Sequence, residues 1–174
     1  SALLAVTPDG QGGEELWRDR RNMLAHWSTP IHVEGRIYGF SGRNEPDGVF
    51  RCLDLDNGEV VWETTGYAGA LEDLEQDPGT GQLHNVKTGA VLDWPFFGRG
   101  SKIQAEGKFL VLGERGTLAL VQIDPGKYVE ISRTSYRQIS YPAWTAPVLS
   151  RKKLYLRDEN SLLCLDVSKQ IEPK

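Results

Sequence analysis

The segment CLDLDNGEVVW, from Cys52 to Trp62, concentrates oxygen-bearing side chains at a spacing that suggests a calcium site. An EF-hand loop requires a glycine at its sixth position and a glutamate at its twelfth. When Asp54 is counted as the first residue, Gly58 is the fifth and Thr65 is the twelfth. The spacing therefore argues against calcium, and we expect the carboxylate of Asp54 to bond the polar turn that follows it.

The other side chains suited to metal or thiol chemistry are isolated in the sequence. Cys52 and Cys164 have no CxxC spacing, and His26, His32 and His84 have no partner three or four residues away. Zinc sites normally combine closely spaced Cys and His ligands. We therefore expect no metal site, no disulfide, and both cysteines as small buried side chains.

These residues belong to a degenerate internal repeat. WSTPIHVEGRIYGF, from Trp27, and WTAPVLSRKKLYLR, from Trp144, share Trp, Pro, the apolar residue after Pro, and Tyr at equal offsets. A third copy, GRGSKIQAEGKFLVL, aligns its Glu-Gly-Lys with the Glu-Gly-Arg of the first copy. The segments CLD at Cys52 and CLD at Cys164 also fall at matching places. Alternating apolar residues and tight turns predict that each copy is a series of short strands.

The segment CLDLDNGEVVW resembles the docking motif of pyrroloquinoline-quinone (PQQ) repeat β-propellers, which is Ala-x-Asp-x-x-Thr-Gly-Lys-x-x-Trp. Asp54, Gly58 and Trp62 match this motif, whereas Cys52 replaces the alanine and the Thr and Lys positions differ. The three copies are similar to successive blades of this family, which lies in the quinoprotein alcohol dehydrogenase-like superfamily. They look most like the C-terminal blades of bacterial members without an assigned enzyme activity.

The resemblance implies that seven residues have a structural role in the contacts between blades. A small side chain and a glycine let neighbouring blades approach, and a tryptophan then wedges between them. The residues at these positions are Trp17, Cys52, Asp54, Gly58, Trp62, Cys164 and Asp166.

The fold implied by the resemblance is all-β, a β-propeller of four-stranded antiparallel blades. The predicted units are a half blade (1–22), a blade (23–66), an insertion (67–97), a blade (98–137) and a final blade (138–174). A closed ring needs roughly four to eight blades, so about three and a half blades form part of a ring. Two interpretations stay open: the C-terminal half of a longer protein, or two copies that close one ring through open blade edges. The leading half blade would then complement the trailing one.

Four residues are candidates for a binding site on this scaffold. In propellers, the residue just before the innermost strand lies at the rim of the central channel. The repeat alignment places Trp27, Arg99 and Trp144 there, and His26 adjoins Trp27. Two aromatic rings and a cation suit a peptide strand or a small planar ligand. The alternative is that the tryptophans only pack between blades.

The resemblance implies a non-catalytic interaction or scaffolding module outside the cytoplasm, with protein partners and no cofactor. Its closest functional analogy is the propeller lipoprotein of the outer-membrane protein assembly machinery. The alternative is a fragment of a PQQ-dependent alcohol or sugar dehydrogenase, which would bind PQQ and calcium. The vicinal cysteine pair of those enzymes is absent, since Cys52 and Cys164 lie far apart in the sequence.

Charge and hydropathy argue against two other classes of protein, those that bind nucleic acid and those that span a membrane. The formal charge of −4 without a broad basic patch argues against nucleic-acid binding. No segment approaches the roughly 18 apolar residues of a membrane span, and SALLAVTPDG lacks the regions of an intact signal peptide. The acidic run at residues 71–77 is interpreted as a solvated face or as part of a partner-contacting loop.

Overall fold

The computed structural model describes residues 1–44 and 47–168 of the chain. Within these ranges, sixteen strands form five antiparallel sheets, and a 3-10 turn spans Leu71–Asp73. The prediction of an all-β fold is therefore confirmed. Residues 169–174, at the end of the last predicted blade, lie outside the described residues.

Each sheet contains strands in their order along the chain. Sheet 1 has β1 (Ala2–Val6) and β2 (Gly13–Arg18). Sheet 2 has β3 (Ile31–Val33), β4 (Arg36–Ser41), β5 (Val49–Asp54) and β6 (Val60–Thr64). The insertion sheet has β7 (Leu74–Gln76), β8 (Leu83–Asn85) and β9 (Val91–Leu92). Sheet 3 has β10 (Ser101–Ala105), β11 (Lys108–Leu112), β12 (Thr117–Gln122) and β13 (Val129–Ser135). Sheet 4 has β14 (Val148–Ser150), β15 (Lys153–Arg157) and β16 (Leu162–Asp166).

The first hairpin of sheets 2, 3 and 4 has the same turn. Two residues with positive φ join the strands in each case, as a type I′ turn requires. These pairs are Glu34-Gly35, Glu106-Gly107 and Arg151-Lys152. The third turn differs because Lys152, at φ 61°, takes the place of a glycine. A side chain in this left-handed region carries a conformational cost that glycine avoids.

Replacing Lys152 by glycine is expected to raise the free energy of unfolding by about 0.5–1 kcal/mol. The gain is limited because glycine also has more freedom in the unfolded chain. The matched control is Gly107→Lys in sheet 3, where a Cβ would meet no atom within 4 Å. That change is expected to lower the same free energy by about 1 kcal/mol. Urea denaturation measures both, and two unchanged midpoints would contradict the assignment of strain to this turn.

The main sheets pack face to face through separate apolar clusters. Between sheets 2 and 3 lies a cluster that includes Tyr38, Phe50 and Phe109, each at most 1% exposed. Between sheets 3 and 4 lies a second cluster, which includes Ile139 and Leu156. Sheet 3 therefore contributes side chains from both of its faces, which explains why β12 is buried along most of its length.

Two tryptophans join sheet 1 to sheet 2 and sheet 2 to sheet 3 in the same way. Trp17, on the last strand of sheet 1, donates its indole N–H to the carbonyl of Leu55, at 2.7 Å. Trp62, on the last strand of sheet 2, donates to the carbonyl of Asp124, at 3.2 Å. Both acceptors lie in the turn after the third strand of the next sheet. A Cβ on Gly58 would lie 2.8 Å from the Trp17 ring, so the glycine permits this approach.

Asp54 and Asp166 occupy equivalent positions in sheets 2 and 4. One Asp54 carboxylate oxygen accepts the N–H of Asp56 at 2.9 Å, and the other forms an ion pair with Arg36. Asp166 likewise accepts the N–H of Ser168 at 2.9 Å and pairs with Lys153 at 2.6 Å. These carboxylates are directed at their own turns and at a cation on the neighbouring strand, and so they stabilise the scaffold.

The two cysteines differ, although they were both expected to be buried. Cys52 is fully buried, and its sulfur lies 3.9 Å from the carbonyl oxygen of Pro125 in sheet 3. Cys164 is exposed, so the prediction of a buried side chain was wrong at this position. Its strand, β16, is the edge of sheet 4, and no described strand or sheet covers it. Both cysteines are free thiols.

The insertion forms a small sheet and then returns to the main core. The acidic run provides the 3-10 turn and β7, and it is mostly exposed, with Asp73 paired to Lys87 at 2.8 Å. The segment ends at Phe97, which is fully buried in the cluster between sheets 2 and 3. Phe97 was assigned to the insertion by sequence, yet it is part of the core.

Candidate functional site

The structure brings the four predicted rim residues together. The rings of His26 and Trp27 are stacked with their centroids 4.3 Å apart. Trp27 is in turn stacked on Trp144, at 4.7 Å, although the two are far apart in the sequence. The guanidinium of Arg99 lies 5.1 Å from the centroid of the Trp144 ring. The loops that precede β3, β10 and β14 therefore converge at one place.

Arg99 is held by a buried carboxylate that the sequence reasoning missed. Glu114 is 1% exposed and accepts bonds from the main-chain N–H of Arg99 and from its guanidinium, with Nη2 at 3.0 Å. The same carboxylate accepts the indole N–H of Trp144 at 2.7 Å. Arg99 also donates to the hydroxyl of Tyr141 at 3.1 Å. Glu114 thus fixes both the cation and one of the two tryptophans.

The rings above this network form a partly exposed surface, which we call the aromatic platform: His26, Trp27, Tyr141 and Trp144. Trp27 is 49% exposed and Tyr141 is 44% exposed. The Tyr141 ring lies edge-on to Trp144, at 6.1 Å between centroids. Unlike the indole N–H groups of Trp62 and Trp144, that of Trp27 has no acceptor among the described residues.

The loop that carries Tyr141 and Trp144 is fixed from two sides. The buried Asp158 accepts the main-chain N–H of Ser140 at 2.7 Å and its hydroxyl at 3.0 Å. The N–H donors from Ser140, Asn160 and Ser161 lower the pKa of Asp158 to about 2. At the other end, the N–H of Ala143 donates to the carbonyl of Glu114 at 3.1 Å. The platform therefore rests on a loop with buried, charge-assisted bonds.

Beside the platform, a cleft of about 250 Å³ has Trp27 and Trp144 in its walls. Lys102, from β10, lies at its inner end and is only 4% exposed. Its Nζ donates to the carbonyl of Thr29 at 3.1 Å. Burial lowers the pKa of Lys102 to about 8. In the described part of the chain, no carboxylate lies within ion-pair distance of this amine.

The repeat holds a partial signal for Lys102 and for Glu114, the two residues of this site that the sequence reasoning missed. The alignment places Lys102 at the position of Pro30 and Pro147 in the other copies, so an ionisable side chain replaces proline at the innermost strand. Glu114 aligns with Glu159, in the turn after the second strand. Neither aligned position reveals that its side chain is buried, because burial depends on how the sheets face each other.

Replacing Glu114 by glutamine is expected to lower the free energy of unfolding by about 2 kcal/mol, because Arg99 loses its buried counter-charge. Urea denaturation measures this change, and a shift in tryptophan emission would report on Trp144. The matched control is Glu159→Gln, an exposed residue at the equivalent repeat position. It is expected to change stability by less than about 0.5 kcal/mol. Equal stabilities of the two variants would show that Glu114 does not hold the platform.

Other features of the described chain bear on metals and membranes. Across residues 1–44 and 47–168, no three His, Cys, Asp or Glu side chains are grouped as a metal site would require. The same residues include no helix long and apolar enough to cross a membrane. His32 and His84 lie apart from the platform: His32 accepts the N–H of Gly35 at 3.2 Å, and His84 approaches Glu75 at 3.5 Å.

No protein-family model matches the sequence, and no curated protein matches it. Among solved structures, the computationally designed Ika8 protein is similar over 84% of this chain, at 13% identity and a TM-score of 0.34. This chain covers 46% of Ika8, about half its length. The designed Ika4 protein matches 87% of this chain and 99% of its own, at 11% identity and a TM-score of 0.34. BamB from Moraxella catarrhalis matches 94% of this chain and 68% of its own, at 12% identity and a TM-score of 0.28. Each similarity is weak.

Proposed function

We propose that this chain forms blades of a β-propeller and acts as a non-catalytic interaction module outside the cytoplasm. Three features support the propeller arrangement. The main sheets contain antiparallel strands in sequence order, the first hairpins of sheets 2, 3 and 4 share one turn type, and tryptophans join sheet 1 to sheet 2 and sheet 2 to sheet 3. The equivalent loops before β3, β10 and β14 then meet at one place, as the loops around a propeller axis do.

The observation that carries the functional proposal is the aromatic platform. Its rings are large and partly exposed, while the groups beneath it are buried and hydrogen-bonded. Such a surface is already ordered before a partner arrives, so binding loses little side-chain entropy. Aromatic residues in this setting are the ones that contribute most to protein interfaces.

The partner chemistry that fits the platform is an extended segment of another protein with an exposed aromatic or proline side chain. The Trp27 ring already stacks on His26 and on Trp144, so the half of it that is exposed suits an edge-to-face contact with a ring of the segment. Its indole N–H can bond a main-chain carbonyl of the same segment. Proline-containing segments dock on grooves lined with aromatic residues for the same reason. The platform would therefore recognise an apolar ring and one main-chain carbonyl of the partner.

Selection from a random peptide library, followed by fluorescence-anisotropy titration, tests this function. Selected peptides are expected to bind Trp27→Ala at least about tenfold more weakly than the unchanged protein, as for an interface anchor. The matched control is Ile131→Ala, because Ile131 is also 49% exposed but lies on β13. Peptides that bind both variants equally would place the interaction elsewhere and contradict the role of the platform.

The oxidoreductase alternative gives a different outcome. Under the proposed function, PQQ and calcium added together leave the melting temperature unchanged and no dye is reduced in the presence of alcohols or sugars. Tight binding of PQQ with substrate-dependent dye reduction would replace the interaction module with an enzyme. The extracytoplasmic location is tested by fusing the full-length protein to alkaline phosphatase, which is active only outside the cytoplasm.

The outer sheets offer a second surface for association. Sheet 1 exposes Leu4 and Val6, and sheet 4 exposes Val148 and Leu162, each by more than half. Exposed apolar edges of this kind are normally covered. Further sheets or a second copy would cover them, and the solution mass separates the two. A mass of 19.4 kDa corresponds to one chain and would exclude a pair.

A further inference from the structure

We propose that the cleft beside the aromatic platform binds a carboxylate group carried on a small apolar or aromatic body. The site is formed by Trp27, Thr29, Ser101, Lys102 and Trp144. It goes beyond the proposed function, because the platform binds by its outer surface and the cleft lies beside that surface.

The charge in the cleft is the first reason. Lys102 is 4% exposed, yet its described surroundings supply a carbonyl oxygen at 3.1 Å and no carboxylate. The rings of Phe40 and Phe50 lie 5.9 and 6.0 Å from its Nζ, which is weak compensation for a buried cation. Since the pKa of Lys102 is lowered only to about 8, the amine is mainly protonated at neutral pH. An incoming carboxylate would supply the missing counter-charge.

The walls of the cleft are the second reason. The stacked rings of Trp27 and Trp144 supply apolar ring surface, and Ile31 adds an aliphatic side chain. The indole N–H of Trp144 is already bonded to Glu114, so this ring presents no free donor to the cleft. The hydroxyl of Ser101 is likewise bonded to the carbonyl of Thr145, at 3.2 Å. A ligand therefore meets the cation of Lys102, the indole rings, and the polar side chains of Ser28 and Thr29.

The size of the cleft limits the ligand. A volume of about 250 Å³ lies below the range of typical drug-sized ligand pockets, which begin at about 300 Å³. One aromatic or branched aliphatic group with its carboxylate is a suitable occupant. Two sources supply that chemistry: a small carboxylic acid, or the C-terminal residue of a peptide.

Isothermal titration with sodium benzoate tests the charge requirement. We expect benzoate to bind, and benzamide, its neutral analogue, to bind at least about tenfold more weakly. The substitution Lys102→Met is expected to reduce benzoate affinity at least about tenfold, and Lys102→Gln, which keeps a donor without charge, by a similar factor. The matched control is Lys108→Met, because Lys108 lies on β11 of the same sheet and bonds the carbonyl of Glu106. It is expected to leave benzoate affinity unchanged.

The peptide Gly-Gly-Phe with a free C-terminus, compared with its C-terminal amide, separates the two sources. If the peptide acid binds better than benzoate and the amide does not bind, a peptide terminus is the occupant. If benzoate binds better, a small acid is the occupant. Absence of binding by both acids, or equal affinity in the unchanged protein and Lys102→Met, would overturn the proposal. Neither result affects the proposed function, because selected peptides whose binding depends on Trp27 and not on Lys102 occupy the platform and not the cleft.

Discussion

Replacement of Trp62 by alanine is expected to lower the free energy of unfolding by about 3 kcal/mol. The Trp62 ring contacts Phe50 in its own sheet, at 5.4 Å between centroids, and Tyr128, just before the last strand of sheet 3, at 5.8 Å. Its indole N–H also donates to the carbonyl of Asp124. The change therefore opens a cavity between sheets 2 and 3 and leaves a carbonyl without its donor, and chemical denaturation measures the sum.

Two further variants show which part of the loss comes from the contact between sheets. Val61→Ala, on the same strand, removes a side chain that is 38% exposed, and it is expected to cost less than about 1 kcal/mol. Trp62→Phe keeps an aromatic ring but removes the bond to Asp124, so it is expected to cost about 1 kcal/mol. A loss below about 1 kcal/mol for Trp62→Ala would show that this tryptophan does not hold the sheets together.

Trp62→Ala and one further variant, Asp54→Asn, test whether the segment CLDLDNGEVVW stabilises the scaffold or binds calcium. Both oxygens of Asp54 are already used, by the N–H of Asp56 and by Arg36. The side-chain oxygen of Asn57 accepts the N–H of Glu59 at 2.8 Å. Calcium is therefore expected to leave the melting temperature of the unchanged protein and of Trp62→Ala unaltered. A stabilisation by calcium that is lost in Asp54→Asn would contradict the structural role of this turn.

Much of the fold could be predicted because its signals are local. Period-two alternation around Phe40 and Leu112 marks strands, and the Glu-Gly pairs mark turns with positive φ. The repeat and its resemblance to propellers add one non-local element, because the resemblance implies that the residue before the innermost strand of each blade lies at the channel rim. For this reason Trp27 and Trp144 were predicted to share a rim, and the structure places them in contact. What the rim binds remains a prediction.

The sequence could not show which side chains are exposed at the ends of the sheet stack or buried between the sheets. Cys164 matches Cys52 in its sequence surroundings, yet it is exposed because no described sheet follows sheet 4. Glu and Lys side chains are almost never fully buried unless paired, yet Glu114 and Lys102 are both buried because they lie where loops and strands from different copies meet. Burial of an ionisable side chain is a property of the packing between copies, and the order of residues within one copy does not encode it.

Replacement of Lys102 by methionine is expected to raise the free energy of unfolding by as much as about 3 kcal/mol at neutral pH. Desolvation lowers the pKa of Lys102 from 10.5 to about 8 in the folded protein. Below pH 8 the amine is protonated in both states, so the folded state carries the full cost of a buried charge. Methionine has a similar length and no charge, so it removes that cost.

The lowered pKa of Lys102 determines how the stability difference between the two proteins changes with pH. Between the folded pKa of about 8 and the unfolded value of 10.5, the unfolded chain binds a proton that the folded chain has lost. The stability of the unchanged protein relative to Lys102→Met therefore rises with pH across this window. Urea denaturation of both proteins at several pH values from 6 to 11 measures the difference, in which the titration of all other groups cancels.

A constant difference between the two stability curves would show that Lys102 titrates normally, and a less stable Lys102→Met at neutral pH would show that the amine supports the fold. The expected result is a variant that is more stable below pH 8 and approaches the unchanged protein above pH 10.5. A residue that weakens the folded state in this way is typical of a binding site, where stability is lost in exchange for recognition. The same substitution that stabilises the chain is then the one that weakens benzoate binding in the cleft.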